Sequence, residues 1–393
     1  MQTPFTRDRP TWLIYLFLAF YAYFINVLGP ITPFLKNELS LSYTISSLHY
    51  TVFAFGILLV GLGGGLVIAR LGRWVSLWLG ATGMSVGTFF LIAGKTPALT
   101  ISATFLMGLV GSLILVIVPS ALADRHGEMR AVALSEANVI ASLASTAAPL
   151  LVGVFSRTTG TWRMGLGIAA FAPVLMYLFF RNARLNEGVS THANGSLLKR
   201  PLPRLYWVYW ISLVLAVAAE FCMISWSADF LETTRGMLRS DAAQSVSIFL
   251  IAMIIGRLAG SRLVQRFAPH WVVSGSVLTA IIGFLLYWQA ASIPSVLSGL
   301  FLTGLGIATL YPLILSMAIG AAGKETVKAS TRATLASGTA ILILPLVLGR
   351  LADVAGIHQA YGIVLLLLIS VLGITMAVRV FENSRPFSRQ DQV

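Results

Sequence analysis

Glu220 is the one formally charged side chain between Arg204 and Asp229, about fifteen residues into an apolar run over 205–231. An ionised carboxylate at that depth costs several kcal/mol in a bilayer, which marks the residue as a proton carrier or as a ligand for a cationic or hydroxyl-rich solute. The plainer alternative is a neutral, hydrogen-bonded acid held by Ser225 or the backbone. Asn26 lies in the first apolar run, two residues from the position that matches Glu220 in an internal repeat, and offers a neutral polar group at similar depth. Trp226 and Tyr311 supply flat apolar faces with a polar edge, suited to stacking on a sugar or aromatic ring, or else to ordinary packing.

Glu136, Arg257 and Arg332 form a second constellation, in the inner thirds of the fifth, eighth and eleventh runs. Small residues recur every four positions beside the first two: Ala133, Ala137, Ala141 and Ser145, then Ala252, Gly256 and Gly260. Such ridges let helices approach closely. The spacing predicts a Glu136–Arg257 ion pair that closes the cytoplasmic side in the outward-open state, with Arg332 sharing or competing for Glu136; a static bridge between buried charges is the alternative. Asp229, near the end of its run, is expected to be solvated, and His49 merely hydrogen-bonded. Asp124-Arg125-His126-Gly127-Glu128 lacks a second histidine at ligand spacing and reads as a solvated loop, so no metal is expected. There is no phosphate cradle ending in Lys-Ser/Thr, so ATP hydrolysis is not expected. No cofactor is called for, and the single cysteine, Cys222, excludes an intramolecular disulfide.

The elements that carry these residues follow from composition. Of 393 residues, 57% are hydrophobic and only 10% charged, and mean hydropathy is +0.85. A soluble domain carries about 25% charged residues, so this chain lacks the ions to cover a surface in water. Its apolar runs are continuous rather than alternating, which indicates helices rather than a barrel. Twelve spans result, near 12–35, 44–69, 74–94, 97–122, 131–155, 163–181, 205–231, 242–266, 270–291, 294–320, 327–351 and 358–380. Residues 182–204, rich in Asn, Gly, Ser and Pro, read as a polar linker.

The halves repeat. At an offset of 196, Phe105, Leu106, Gly108 and Leu109 fall on Phe301, Leu302, Gly304 and Leu305, while Pro149, Leu150 and Gly153 fall on Pro345, Leu346 and Gly349. Glu136 falls on Arg332. The expected architecture is an all-α membrane protein of two pseudo-symmetric six-helix bundles, 1–181 and 205–393 with a short tail, joined by the 182–204 linker. A net charge of +13 raises the question of nucleic acid. With both termini inside, however, eighteen lysines and arginines fall on the cytoplasmic side and seven opposite, the bias of membrane insertion. No nucleic-acid partner is expected, nor a cleaved leader.

Gly65-Leu66-Val67-Ile68-Ala69-Arg70-Leu71-Gly72-Arg73, after the second span, is similar to the loop signature of the major facilitator superfamily, with a looser echo from Gly260 through Leu263 to Arg266. Together with twelve spans in two repeated sixes, it makes the chain resemble that family. The resemblance implies alternating access between two bundles, with Arg70 and Arg73 helping to hold their inner ends. Ala69 stands where the family loop carries Asp, and Thr104 where proton-coupled members often carry Arg. Ala148-Pro149-Leu150-Leu151-Val152-Gly153 is a degenerate form of the antiporter Gly-Pro motif. Glu220, Trp226 and Phe230-Leu231 resemble fucose-permease-type sugar carriers. The expectation is a monomeric bacterial inner-membrane carrier for a small polar organic solute, its movement either proton-linked or facilitated. The rivals are a proton-driven exporter of amphipathic compounds and, from another class, a membrane-embedded enzyme or receptor. No clustered nucleophile and base supports an enzyme, and no large extramembrane domain supports a receptor.

Overall fold

A computed structural model describes residues 6–183, 201–323 and 325–383. The helices of the first half are α1 (Arg9–Glu38), α2 (Tyr43–Leu71), α3 (Arg73–Ala93), α4 (Pro97–His126), α5 (Arg130–Thr159), α6 (Arg163–Ala170) and α7 (Ala172–Phe180). Those of the second are α8 (Arg204–Arg235), α9 (Arg239–Leu263), α10 (Pro269–Gln289), α11 (Ile293–Ile307), α12 (Leu310–Ala321), α13 (Thr326–Ala355), α14 (Ile357–Ala360) and α15 (Gly362–Asn383). Among the described residues, twelve helical stretches are long and apolar enough to cross a membrane. They fall on the twelve spans expected from composition. The sixth and tenth spans are each broken once, before α7 and before α12. Pro173 and Pro312 lie just past the breaks, and neither has an N–H to return to the preceding turn. Of the linker expected at 182–204, residues 184–200 lie outside the described residues, as do Lys324, Arg385 and Arg389.

The chain divides into two compact units. One holds the described residues of Met1–Asn194 with Phe221–Leu250 and Ile341–Tyr361; the other holds those of Gly195–Glu220, Ile251–Ala340 and Gly362–Val393. In the first, α1 packs on α5 and α4 on both α2 and α3; in the second, α10 packs on α11 and α15. The repeat recurs as packing. A Cβ on Gly87 of α3 would lie 2.6 Å from Met107 of α4. Its counterpart 196 positions on, Gly283 of α10, faces Thr303 and Leu302 of α11 in the same way, with the Leu302 carbonyl carbon 2.7 Å from a Cβ. Close helix approach without a side chain is thus duplicated along with the sequence.

Candidate functional site

In the second unit, α8 presents Glu220 to Arg257 of α9, with Arg257 Nη2 3.7 Å from Glu220 Oε1. The carboxylate side chain is 15% exposed and the guanidinium 44%. A separation of 3.7 Å is an ionic contact longer than a hydrogen bond, so carboxylate and guanidinium both have room for a third polar group. Glu220 was expected to stand alone or to bond Ser225, and the structure gives it a cation instead. Trp226 is six residues further along α8, about 240° round the helix, so the two side chains do not share a face. Trp226 is fully buried, and its indole N–H donates to the Pro345 carbonyl at 3.2 Å. Tyr311, in the second unit, is half-buried near the start of α12. Asn26 in the first unit donates to Ser145 Oγ of α5 at 3.0 Å and to the Ala22 carbonyl at 2.9 Å.

The first unit contains segments from both sequence halves, and three glycines explain how they come together. α1 crosses α8 where Gly29 faces the Ile224 carbonyl, so closely that no Cβ fits. Gly29 and Ser225 are repeat mates, so the crossing falls at equivalent points of the two helices. On one flank Gly153 of α5 abuts α9, with the Ser240 carbonyl 2.5 Å from a Cβ; on the other its mate Gly349 of α13 abuts α2, with the Tyr43 carbonyl and Ser47 Oγ both at 2.8 Å. Two equivalent clasps therefore flank one central crossing. Gly29→Val should disfavour this closed arrangement by about 1–3 kcal/mol, since its bulk meets backbone rather than a movable side chain. The measurement is labelling of a cysteine at Ser225, with a rate rise on the order of 5–150-fold expected.

Charge reinforces the same end. Asp353 at the close of α13 accepts from the Tyr43 and Thr44 N–H groups at 2.7 and 2.9 Å, and Ser42 accepts from Ile45 N–H, so the orphan donors opening α2 are met by an acid at the positive end of the helix dipole. Its repeat mate Arg157 reaches Asp241 at the start of α9, at 3.4 Å. Between them Lys36 of α1 pairs with Asp229 of α8, and the ammonium lies 4.0 Å from the centroid of the Tyr43 ring. Asp229 is 1% exposed, which corrects the expectation of a solvated carboxylate: the α1–α8 crossing places it under Lys36 rather than in water. Nothing in the spacing of Lys36 and Asp229 announces this pair, although both lie near the last turn of repeat-equivalent helices.

At the other end of the first unit Glu136 is held by Arg7. Arg7, just ahead of α1, donates through Nε and Nη2 to Glu136 at 2.9 and 2.6 Å, and the Tyr15 hydroxyl adds a bond at 3.3 Å. The reason is the long α1–α5 contact, which carries the start of one helix to the start of the other. Arg332, in the second unit, is exposed, and its carbonyl accepts from the Trp210 indole at 2.9 Å. Arg73 is buried against Asp124 at 2.5 Å, whereas Arg70 is exposed. The Asp124–Glu128 stretch is not a loop but the end of α4 and a short turn after it; Asp124, Gly127 and Glu128 are exposed, while Asp124 holds Arg73, Arg125 holds Asp8, and His126 Nε2 lies 2.9 Å from Thr11 Oγ1. His49 is buried as expected for a bonded histidine, with Nδ1 3.0 Å from the Ser46 carbonyl and Nε2 2.9 Å from Thr100 Oγ1.

Asp8 lies ahead of the first span. Burial pushes its carboxyl up, but the Arg125 guanidinium with the Thr11 hydroxyl and N–H outweighs this and brings it from 3.8 to about 2. A depressed carboxyl stabilises the fold above its unfolded value and loses that contribution as pH falls through its folded one. The Asp8–Arg125 tie should thus be constant from neutrality down to the ordinary carboxyl range and vanish towards about pH 2, as followed by the Asp8 carboxyl carbon shift.

The sequence model described as the Major Facilitator Superfamily matches residues 12–266 and 210–392. An uncharacterized MFS-type transporter of Yersinia pestis is 27% identical over 375 residues, spanning 91% of this chain and 94% of that one. A glucose/galactose transporter of Brucella abortus is 26% identical over 361 residues, 86% of each chain. Among solved structures, a bacterial homolog to the human lysosomal transporter Spinster superposes with a TM-score of 0.80 at 16% identity, covering 98% of this chain and all of that one.

Proposed function

Because this chain belongs to the Major Facilitator Superfamily, a family of transporters rather than enzymes, we propose that it moves a small polar, sugar-like solute across a bacterial inner membrane in symport with protons. The observation that carries the proposal is the Glu220–Arg257 pair: a carboxylate and a guanidinium facing each other within membrane spans, 3.7 Å apart and with hydrogen-bonding capacity to spare. A solute hydroxyl accepts from the guanidinium and donates to the carboxylate, while a proton on Glu220 loosens its hold on Arg257. The relative named as a glucose/galactose transporter supports a hydroxyl-rich solute.

Alternating access supplies the cycle. The bundles 1–181 and 205–393, joined by 182–204, rock as two bodies in a monomer, with both termini in the cytoplasm. In that orientation the glycine crossing, its two clasps and the Lys36–Asp229 pair form the outer gate. Asn26 offers the solute an amide from α1 and Tyr311 a ring from α12, while Trp226 buttresses α8 against α13. Glu136, with Arg7 as an exposed partner, is a gating carboxylate of the inner face, which Arg70 and Arg73 steady.

The test is uptake into liposomes, with and without a pH gradient, over a panel of hexoses, pentoses, nucleosides and amphipathic cations. Gradient-driven accumulation of one hydroxyl-rich solute is the expected result. Uptake confined to amphipathic cations, or indifferent to the gradient, overturns the proposal.

A further inference from the structure

The second unit carries a groove of about 640 Å³ that the transport cycle above does not use. It lies at the turn from α9 to α10 and is lined by Gly260, Leu263, Phe267, Trp271, Gly275 and Leu305, among others. Its walls are apolar, and Phe267 and Trp271 are about half exposed. One polar pair within it is already satisfied internally, since Thr309 Oγ1 donates to Ser276 Oγ at 2.7 Å. The groove therefore offers little to a polar solute. Gly260 meets Thr309, whereas a Cβ on Gly275 would meet nothing within 4 Å, so Gly275 marks where the groove is empty.

The mouth has the opposite character. The Arg379 guanidinium of α15 stacks 3.8 Å from the centroid of the Trp271 ring. Arg262 and Arg266, neighbours in sequence of the lining residues Leu263 and Phe267, are both exposed. No Asp or Glu occurs from Ala242 to Gly323, and along α15 the one acid is Glu382, three residues past Arg379. Arg379 thus stands over the aromatic wall of an apolar slot, and the segments that border it carry two further exposed arginines against a single acid. Tryptophan at such a mouth fits the depth of lipid headgroups, and basic pockets between spans select anionic ones.

We propose that this groove is a binding site for an anionic glycerophospholipid. One acyl chain lies along Gly260, Gly275 and Leu305, and the phosphate sits among Arg262, Arg266 and Arg379. Charge complementarity singles out this occupant, because a zwitterionic lipid fills the slot equally well but leaves the arginines uncompensated.

The experiment reconstitutes the full chain in nanodiscs of equimolar phosphatidylglycerol and phosphatidylcholine and counts retained lipids by native mass spectrometry. Each arginine near the surface is worth about fivefold in affinity for an anionic headgroup. Retention of phosphatidylglycerol over phosphatidylcholine by about a hundredfold is expected, falling to about fivefold in R266Q/R379Q, where Arg262 remains. Gly275→Leu, which fills open space rather than meeting a neighbour, should release both lipids. Equal retention by the unaltered protein, or an undiminished preference in R266Q/R379Q, overturns the site. Unchanged retention in Gly275→Leu shows that the lipid sits elsewhere and overturns it as well. Gly275→Leu needs no arginine to be lost, so it decides the matter where the double variant fails to fold.

Discussion

Glu220→Gln should reduce solute accumulation from about tenfold per unit of pH gradient, the yield of one coupled proton, to a ratio near one. Glutamine keeps the shape of the side chain and can still hydrogen-bond a solute hydroxyl, but it cannot take up or release a proton. Arg257 is 44% exposed, so loss of its counter-charge does not strand it in a dry site. Exchange of labelled for unlabelled solute, which needs no net proton movement, should persist. Liposome uptake with an imposed gradient, run beside counterflow, separates the two. Accumulation equal to that of the unaltered protein removes Glu220 from coupling, and loss of counterflow as well assigns it to binding instead.

The second large effect belongs to the far end of α8. Asp229→Asn leaves the Lys36 ammonium, itself 15% exposed, in a site that no longer holds a counter-ion. Breaking a buried pair from one side costs about 3–5 kcal/mol, whereas replacing both partners with apolar residues of similar volume is often neutral. Transport should fall by two orders of magnitude or more in Asp229→Asn and recover substantially in the Lys36→Met, Asp229→Leu double variant. Arg157→Gln at the same end provides the contrast. Its side chain is 66% exposed and its ion pair 3.4 Å long, so a change within about 1 kcal/mol is expected. Initial uptake rates of the three variants, set against thermal unfolding in detergent, check the order. Equal losses in the single and double variants would show that Lys36 and Asp229 act separately.

Much of this architecture is legible in the chain itself. Continuous apolar runs have only one way to satisfy their backbones in lipid, and the 196-residue offset carries its glycines and prolines along with it. Gly153 and Gly349 could be matched as repeat mates, but what they touch could not be read, because each lies against a helix from the other half. The same gap explains the ion pairs. Depth along a helix told that Glu220 is buried and wrongly suggested that Asp229 is wet, since depth says nothing of a neighbour brought in by crossing helices. Glu136 had a plausible partner in Arg257 by ridge spacing, yet α1 delivers Arg7 to it through a contact made at the helix starts. Trp226 looked equally suited to a ring or to a wall, and its indole bond to Pro345 accounts for it as a wall.

The position of Gly29 along α1 has a mechanical corollary. It stands nine residues from the closing Glu38 and twenty from the opening Arg9, arms of about 14 and 30 Å at 1.5 Å per residue. A swing of about 10° pivoting there displaces the short arm by roughly 2 Å and the long arm by roughly 5 Å. Two ångströms is enough to unseat Lys36 from Asp229, and five is about the width of a sugar ring. A fulcrum set off-centre in this way makes a modest loosening at one end of the helix match a full aperture's travel at the other.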